Sequence, residues 1–261
     1  MMARLLSIAL LILSLLTIKP ALSSNPPADL EAAWQAYLDT QTHLAPVYVF
    51  PHSACFAAAA AKYGLPETLL LAVARGESDF EATARSRANA HGVMQILWPV
   101  TAKHLGIRRL SSLYDPCTNI DAGARYLKEM LARYAGNLHL ALAAYNYGPN
   151  RIPVNAVSIP DGARWYSGYI LRHMRYVLGD GASTPPASGL YSELGQSTLL
   201  TFGEPYRAAA FVARLEDRAE GLKLDWFRRG TGEFEVVMSY ADRDEFDRHA
   251  ALLRRAGYRI D

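Results

Sequence analysis

Apolar positions recur at helical spacing up to about residue 178 and alternate in strand fashion from about residue 197 onward. In the first region Asp29 is placed to cap a helix carrying Trp34 and Tyr37, and residues 46–51, bounded by prolines, form a non-helical connection. Residues 53–63 are Ala-rich and helical, closed by Gly64. Pro66 opens the next helix at its first turn and the run Leu69-Leu70-Leu71-Ala72-Val73-Ala74 carries it to Glu77. Residues 79–91 are polar, lack apolar periodicity and read as a loop. A helix is expected over 95–105, with Pro99 starting or kinking it, and Asp115-Pro116 reads as a break. Further helices follow over 119–134, ended by Gly136, over 138–147, stopped by Gly148-Pro149, and over 162–178.

The second region has a different rhythm. Residues 179–189 (Gly-Asp-Gly-Ala-Ser-Thr-Pro-Pro-Ala-Ser-Gly) have linker composition. Beyond them the pattern predicts a strand at 197–202, a helix at 206–220, a hairpin from 222–228 and 234–240, a helix at 242–255 capped by an acid, and a last strand at 257–260. The order βαββαβ is that of a ferredoxin-like unit.

Composition narrows the class. Of 261 residues, 51% are hydrophobic and 20% charged, which is globular rather than disordered. The formal net charge is +2, and Arg4 and Lys19 near the N-terminus account for it, so no polybasic surface for nucleic acid is supported. Beyond the linker, acidic residues slightly outnumber basic ones, which again disfavours phosphate binding. Residues 1–23 read as a secretory signal peptide: Arg4, an apolar stretch from Leu5 to Leu16, and small residues at Ala21 and Ser23. A retained membrane anchor is the alternative, although the apolar run is shorter than the ~20 residues a bilayer needs. The expected location is therefore periplasmic, with the membrane involved only through the signal peptide. Cys55 and Cys117 are the two cysteines. In an exported chain they most simply form one disulfide around a loop of about sixty residues, and two buried thiols are the alternative. No ligand spacing suggests a metal, and His91 and His104 read as structural.

The chemistry concentrates at Glu77-Ser78, Gly92-Val93-Met94-Gln95-Ile96 and Ala144-Tyr145-Asn146. Apolar neighbours disfavour the charged form of a carboxyl, so a lone acid at the end of an apolar helix suits a proton donor near neutral pH. On these motifs the region from about Cys55 to Val177 resembles the SLT-type lytic transglycosylases of the lysozyme-like superfamily, which cut the glycan strands of bacterial peptidoglycan. The resemblance implies an all-α lysozyme-like catalytic domain over 24–179. With the linker at 180–190 and a small α/β unit at 191–261, the expected fold class is α+β multidomain. The final unit resembles SPOR domains in layout and in its ending Leu-Arg-Arg-Ala-Gly-Tyr, and SPOR domains bind septal glycan strands.

The resemblance also assigns roles. Glu77 is the catalytic acid and then base, and no cofactor or metal is implied. Ser78 supports the acid, and Ser86 bonds the substrate acetamido group. Met94 and Gln95 line the cleft, Tyr145 and Asn146 orient the carboxyl and the sugar, and Tyr169 is a late cleft tyrosine. Trp165 stands where some relatives place a cleft glutamate, which suggests an aromatic sugar platform instead. The implied partners are peptidoglycan glycan strands, and an envelope secretion, pilus or conjugation apparatus is compatible. A muramidase on the same fold and a non-catalytic glycan-binding accessory are the alternatives.

Overall fold

A computed structural model of the chain describes residues 29–156, 158–179, 195–230 and 233–258. The expected signal peptide, the linker at 180–190 and the second half of the last predicted strand lie outside the described residues. Asp29 caps α1 (Leu30–Thr40), its Oδ1 accepting the Ala32 N–H at 2.9 Å. α2 (Ser53–Tyr63) ends at Gly64, whose φ of +58° is the left-handed geometry glycine adopts without steric cost. α3 (Glu67–Ser78) follows Pro66 and is buried continuously from Thr68 to Ser78, so it forms the axis of the helical unit. It leaves through Asp79 and Phe80, both at positive φ, which turns the chain sharply after the Glu77-Ser78 pair.

The next segment is less helical than its pattern suggested. Residues 90–97 form a two-stranded ribbon, β1 (Ala90–His91) against β2 (Ile96–Leu97), and only Val100–His104 is helical (α4). Gln95 sits in a turn at φ +50°. Pro99, which cannot donate within a helix, stands just before α4 instead of kinking a longer one. α5 (Pro116–Arg133) begins three residues earlier than its apolar periodicity implied. The Asp115-Pro116 break is its start: Asp115 Oδ1 accepts the Thr118 N–H and Pro116 occupies the first turn. α6 (Leu138–Tyr147) is capped by Asn137, and α7 (Asp161–Val177) carries the densest aromatic face.

In the C-terminal unit β3 (Gly195–Phe202), α8 (Pro205–Arg218), β4 (Leu224–Gly230), β5 (Glu233–Tyr240) and α9 (Arg243–Arg255) follow in order. The sheet is antiparallel with β5 in the centre, order β3-β5-β4. Thus β4 is an edge strand among the described residues.

One apolar cluster runs through both units, from Leu30 and Leu70 to Val236, Met238 and Leu253. The small sheet is therefore packed on the helical unit, and β4 lies against α3 while α8 backs the sheet. Gly76 sets how closely α3 and α7 approach. A Cβ there would stand 2.6 Å from Ile170 Cδ1 and 3.0 Å from His173 Cδ2. Cys55 and Cys117 are joined as a disulfide between α2 and α5, with Cα atoms 5.0 Å apart. Among the described residues no helix is long and apolar enough to cross a membrane.

Candidate active site

Glu77, 8% exposed, is the penultimate residue of the buried α3. Its Oε1 accepts the Tyr166 hydroxyl at 2.5 Å, and its Oε2 accepts Arg228 Nη2 at 2.9 Å. Both oxygens are thus acceptors in a polar pocket, not an apolar one. Tyr166 is fully buried. Burial, and next the nearby Glu77 charge, push its hydroxyl well above the ordinary phenol value, so it stays a donor.

The 92–97 turn is fixed from below by Asn119, fully buried on α5. Its Oδ1 accepts the Met94 N–H (2.7 Å) and its Nδ2 donates to the carbonyls of His91 and Leu113 (2.9 Å each). From above, Ser78 Oγ donates to the Val93 carbonyl (2.8 Å) and Tyr145 donates to the Met94 carbonyl (2.8 Å). The Glu-Ser and Tyr-Asn motifs therefore converge on one turn. Gly92, at φ +77°, has no room for a side chain, because a Cβ would strike the Leu113 carbonyl and the Asn119 amide.

Each predicted site residue can now be placed. Ser78 is buried and supports the turn. Ser86 Oγ accepts the Ala90 N–H at 3.0 Å within the polar loop. Met94 corrects the expectation of a cleft-lining side chain: it is fully buried against Gly123, and its carbonyl is what Tyr145 meets. The Gln95 amide donates back to the carbonyls of Gly92 (2.9 Å) and Ala84 (3.3 Å), so it braces the loop. Tyr145 was expected to orient the carboxyl, but its hydroxyl goes to Met94 and Tyr166 holds the acid instead. Burial first, then the Glu77 charge, push the Tyr145 hydroxyl well above its ordinary value, so it stays a donor.

Asn146, its amide turned so that oxygen faces the guanidinium, accepts from Arg228 Nη1 at 2.9 Å and Nη2 at 3.2 Å. Tyr169 donates to the Gly76 carbonyl (3.0 Å) and accepts the Arg228 N–H (2.9 Å), and burial pushes its hydroxyl to about 12. Trp165 stacks on Tyr169 with centroids 5.0 Å apart, yet its other neighbours are Trp226 and Phe234 of the small sheet. Asp79 and Glu81, the acids closest in sequence to Glu77, have other partners. Asp79 accepts from Gln196 (3.1 Å), and Glu81 accepts from the Thr83 N–H and hydroxyl. His91 is buried between Tyr114 and Asn89, and His104 pairs with Glu129. Among the described residues no cluster of three or more His, Cys, Asp or Glu side chains could hold a metal.

With that geometry the chain can be set beside known proteins. Residues 54–157 match the Transglycosylase SLT domain family. The chain resembles the SLT-type lytic transglycosylases. It is 35% identical over 134 residues to a transglycosylase of Enterobacteria phage PRD1, which covers 51% of this chain and 47% of that protein. It is 36% identical over 95 residues to the soluble lytic murein transglycosylase of Escherichia coli K12, covering 34% of this chain and 15% of that protein. Among solved structures, an inactive mutant of lytic transglycosylase Slt from Pseudomonas aeruginosa aligns at TM-score 0.42 and 31% identity, over 48% of this chain and 23% of that one. The Escherichia coli enzyme Slt70 aligns at TM-score 0.44 and 26% identity, over 58% and 29%. The chain thus spans about half the length, or much less, of the proteins it matches. The SLT segment contains Glu77, the 92–97 turn and Tyr145-Asn146, and it ends before Tyr166 and Arg228.

Those last two residues were missed by sequence reasoning. Tyr166 had a signal, since it lies three residues before Tyr169 and shares its helix face. Arg228 had none, because a basic residue in an edge strand reads as solvated.

Proposed function

We propose that the chain is a peptidoglycan lytic transglycosylase that cleaves the MurNAc-β-1,4-GlcNAc bond and leaves a 1,6-anhydro-MurNAc end. The observation that carries this reading is the single carboxyl, Glu77, held rigidly at a helix end beside a buried hydroxyl and the Tyr-Asn pair. In the proposed reaction Glu77 gives its proton to the glycosidic oxygen, and the bond to the anomeric carbon breaks as oxocarbenium character develops. The C6 hydroxyl of the same muramyl residue then closes on that carbon and returns its proton to Glu77, so no water is consumed. The Tyr166 hydroxyl holds Oε1 throughout and leaves Oε2 as the oxygen that must exchange the proton.

A muramidase would need a second carboxylate aimed across the cleft. Asp79 and Glu81 bond elsewhere, which favours the non-hydrolytic reading. The helical unit is read as lysozyme-like and the C-terminal one as ferredoxin-like, consistent with its β3-β5-β4 order. A signal peptide, as expected from residues 1–23, and the Cys55–Cys117 disulfide would together suit a periplasmic enzyme. The partners remain glycan strands, with an envelope-spanning apparatus compatible.

The test is mass analysis of digested peptidoglycan. New MurNAc termini lighter by one water support the reading, and free reducing ends assign the chain to the muramidases. Glu77→Gln should abolish release by ~1,000-fold or more while retaining the far-UV spectrum, because the amide keeps the shape but cannot donate a carboxyl proton. Undiminished turnover in that variant refutes the assignment.

A further inference from the structure

We infer that the C-terminal sheet is an autoinhibitory cap whose edge strand β4 closes the catalytic cleft and must withdraw before a glycan strand can bind. The inference rests on the reading of Glu77 as the catalytic acid. Arg228 reaches from β4 onto Glu77 Oε2 and the Asn146 amide, so one side chain takes up the acid and the motif residue beside it. An oxygen accepting from a guanidinium is not free to hand a proton to a glycosidic oxygen. The strand's own backbone is held as well. The Arg228 N–H donates to Tyr169 Oη, and the Trp226 carbonyl accepts from Arg172. An edge strand ordinarily leaves such groups to water or to another strand. Here side chains of α7 receive them.

The aromatic face is covered too. Trp226 lies 5.4 Å from Tyr169, Phe234 lies 5.5 Å from Trp165, and Phe227 stacks on His173 at 5.5 Å. The rings that would present a platform to a sugar thus pack against protein. A buried anchor locks the strand. Asp225 pairs with Arg75 at 2.6 Å and with Arg172, while Arg229 donates to the Ser78 carbonyl at 3.2 Å. These contacts fall on the acid's own helix, on its motif partner Asn146 and on α7, which carries the late cleft tyrosine.

Two full-length variants test the cap, Arg228→Ala and Trp226→Ala, read by hydrogen exchange and by release of soluble muropeptides from purified peptidoglycan. We expect exchange at residues 224–230 and 165–173 to rise while β3 and β5 stay protected. Release should rise about tenfold, as when the competent fraction grows from roughly 5% to half. Exchange unchanged in both variants overturns the claim that these contacts hold the strand. Freer exchange with release unchanged, and still abolished by Glu77→Gln, overturns the inhibition alone. Loss of release in Arg228→Ala with the far-UV spectrum intact makes Arg228 part of the machinery and also overturns it. If the wild type and both opened variants release nothing, the reading of Glu77 fails and the cap's function falls with it.

Discussion

The turn at residues 92–97 and the strand at 224–230 both bury polar groups, and they do so in opposite ways. Within the SLT segment the partners are close to hand: Ser78, Asn119, Tyr145 and Gln95 bond backbone groups of a single turn, and all of them belong to the helical unit. Strand β4 instead satisfies Asp225, Arg228 and part of its own backbone with residues of the other unit. Neutral hydrogen bonds hold the turn, whereas ion pairs hold the strand. The first arrangement makes a rigid part, because every donor has a neutral partner that stays in place. The second makes a joint whose strength depends on charges remaining paired, since a buried charge that loses its partner is costly.

That contrast predicts a ranking. Asp225→Ala leaves Arg75, 2% exposed, and Arg172 without their carboxylate, and should cost about 3–5 kcal/mol in chemical denaturation. A loss below about 1 kcal/mol would mean that the strand does not depend on the pair. Asn119→Ala removes the three hydrogen bonds, to Met94, His91 and Leu113, that seat the turn and should cost roughly 2–4 kcal/mol, with one cooperative transition retained. Should the two variants lose the same amount and show the same exchange pattern, the distinction between part and joint disappears.

Acid should weaken the joint selectively. Burial opposes the charge on Asp225, but Arg172 and Arg75 outweigh it and hold the carboxyl well below its usual range. A depressed carboxylate contributes its full stability above the ordinary value near ~3.9 and loses it as pH falls below that point. Between about pH 4.3 and 6.5 two other groups oppose each other. Glu216 on α8 is raised to about 7 by burial and then by Asp225, so its ionisation disfavours the folded state as pH rises. His173 is buried neutral, its value depressed by burial and then by Arg172 and Arg75, with Asp225 the opposing charge facing it, so it disfavours the folded state as pH falls. Protection at residues 224–230, taken relative to intrinsic amide exchange at each pH, should therefore change little across that window and fall steeply below about pH 4, while protection at 92–97 falls later. Simultaneous release of both segments would show that acid unfolds the chain without separating the units.

The smallest effect belongs to the rim. Arg87 and Glu233 pair across the two units with Arg87 69% exposed, so Arg87→Ala should cost less than about 1 kcal/mol and leave the exchange pattern unaltered.

Much of this could be read from the linear pattern. Proline and glycine marked the ends of α2, α3, α5 and α6, because a missing N–H and a tolerated positive φ act locally. Two-residue alternation located β3, β4 and β5 to within two residues at each end. The stretch 95–105 misled, since Gln95 sits in a turn and Ile96–Leu97 pair as a strand, which leaves only Val100–His104 helical, and a turn has no period. Glu77 and its motifs were legible because their residue types stand close in the chain or repeat a family pattern.

Periodicity reports which face of an element is buried and stays silent on what it is buried against. It placed Tyr145 and Tyr166 equally well, and the packing of α7 on α3 is what brings Tyr166 onto the acid. It described β4 as half of a hairpin in a separate unit, and docking onto α3 and α7 turned Arg228 into the partner of Glu77 across 151 positions. Local steric rules write the elements into the chain, whereas the meeting of two buried charges is settled by shape and by the cost of leaving either one alone.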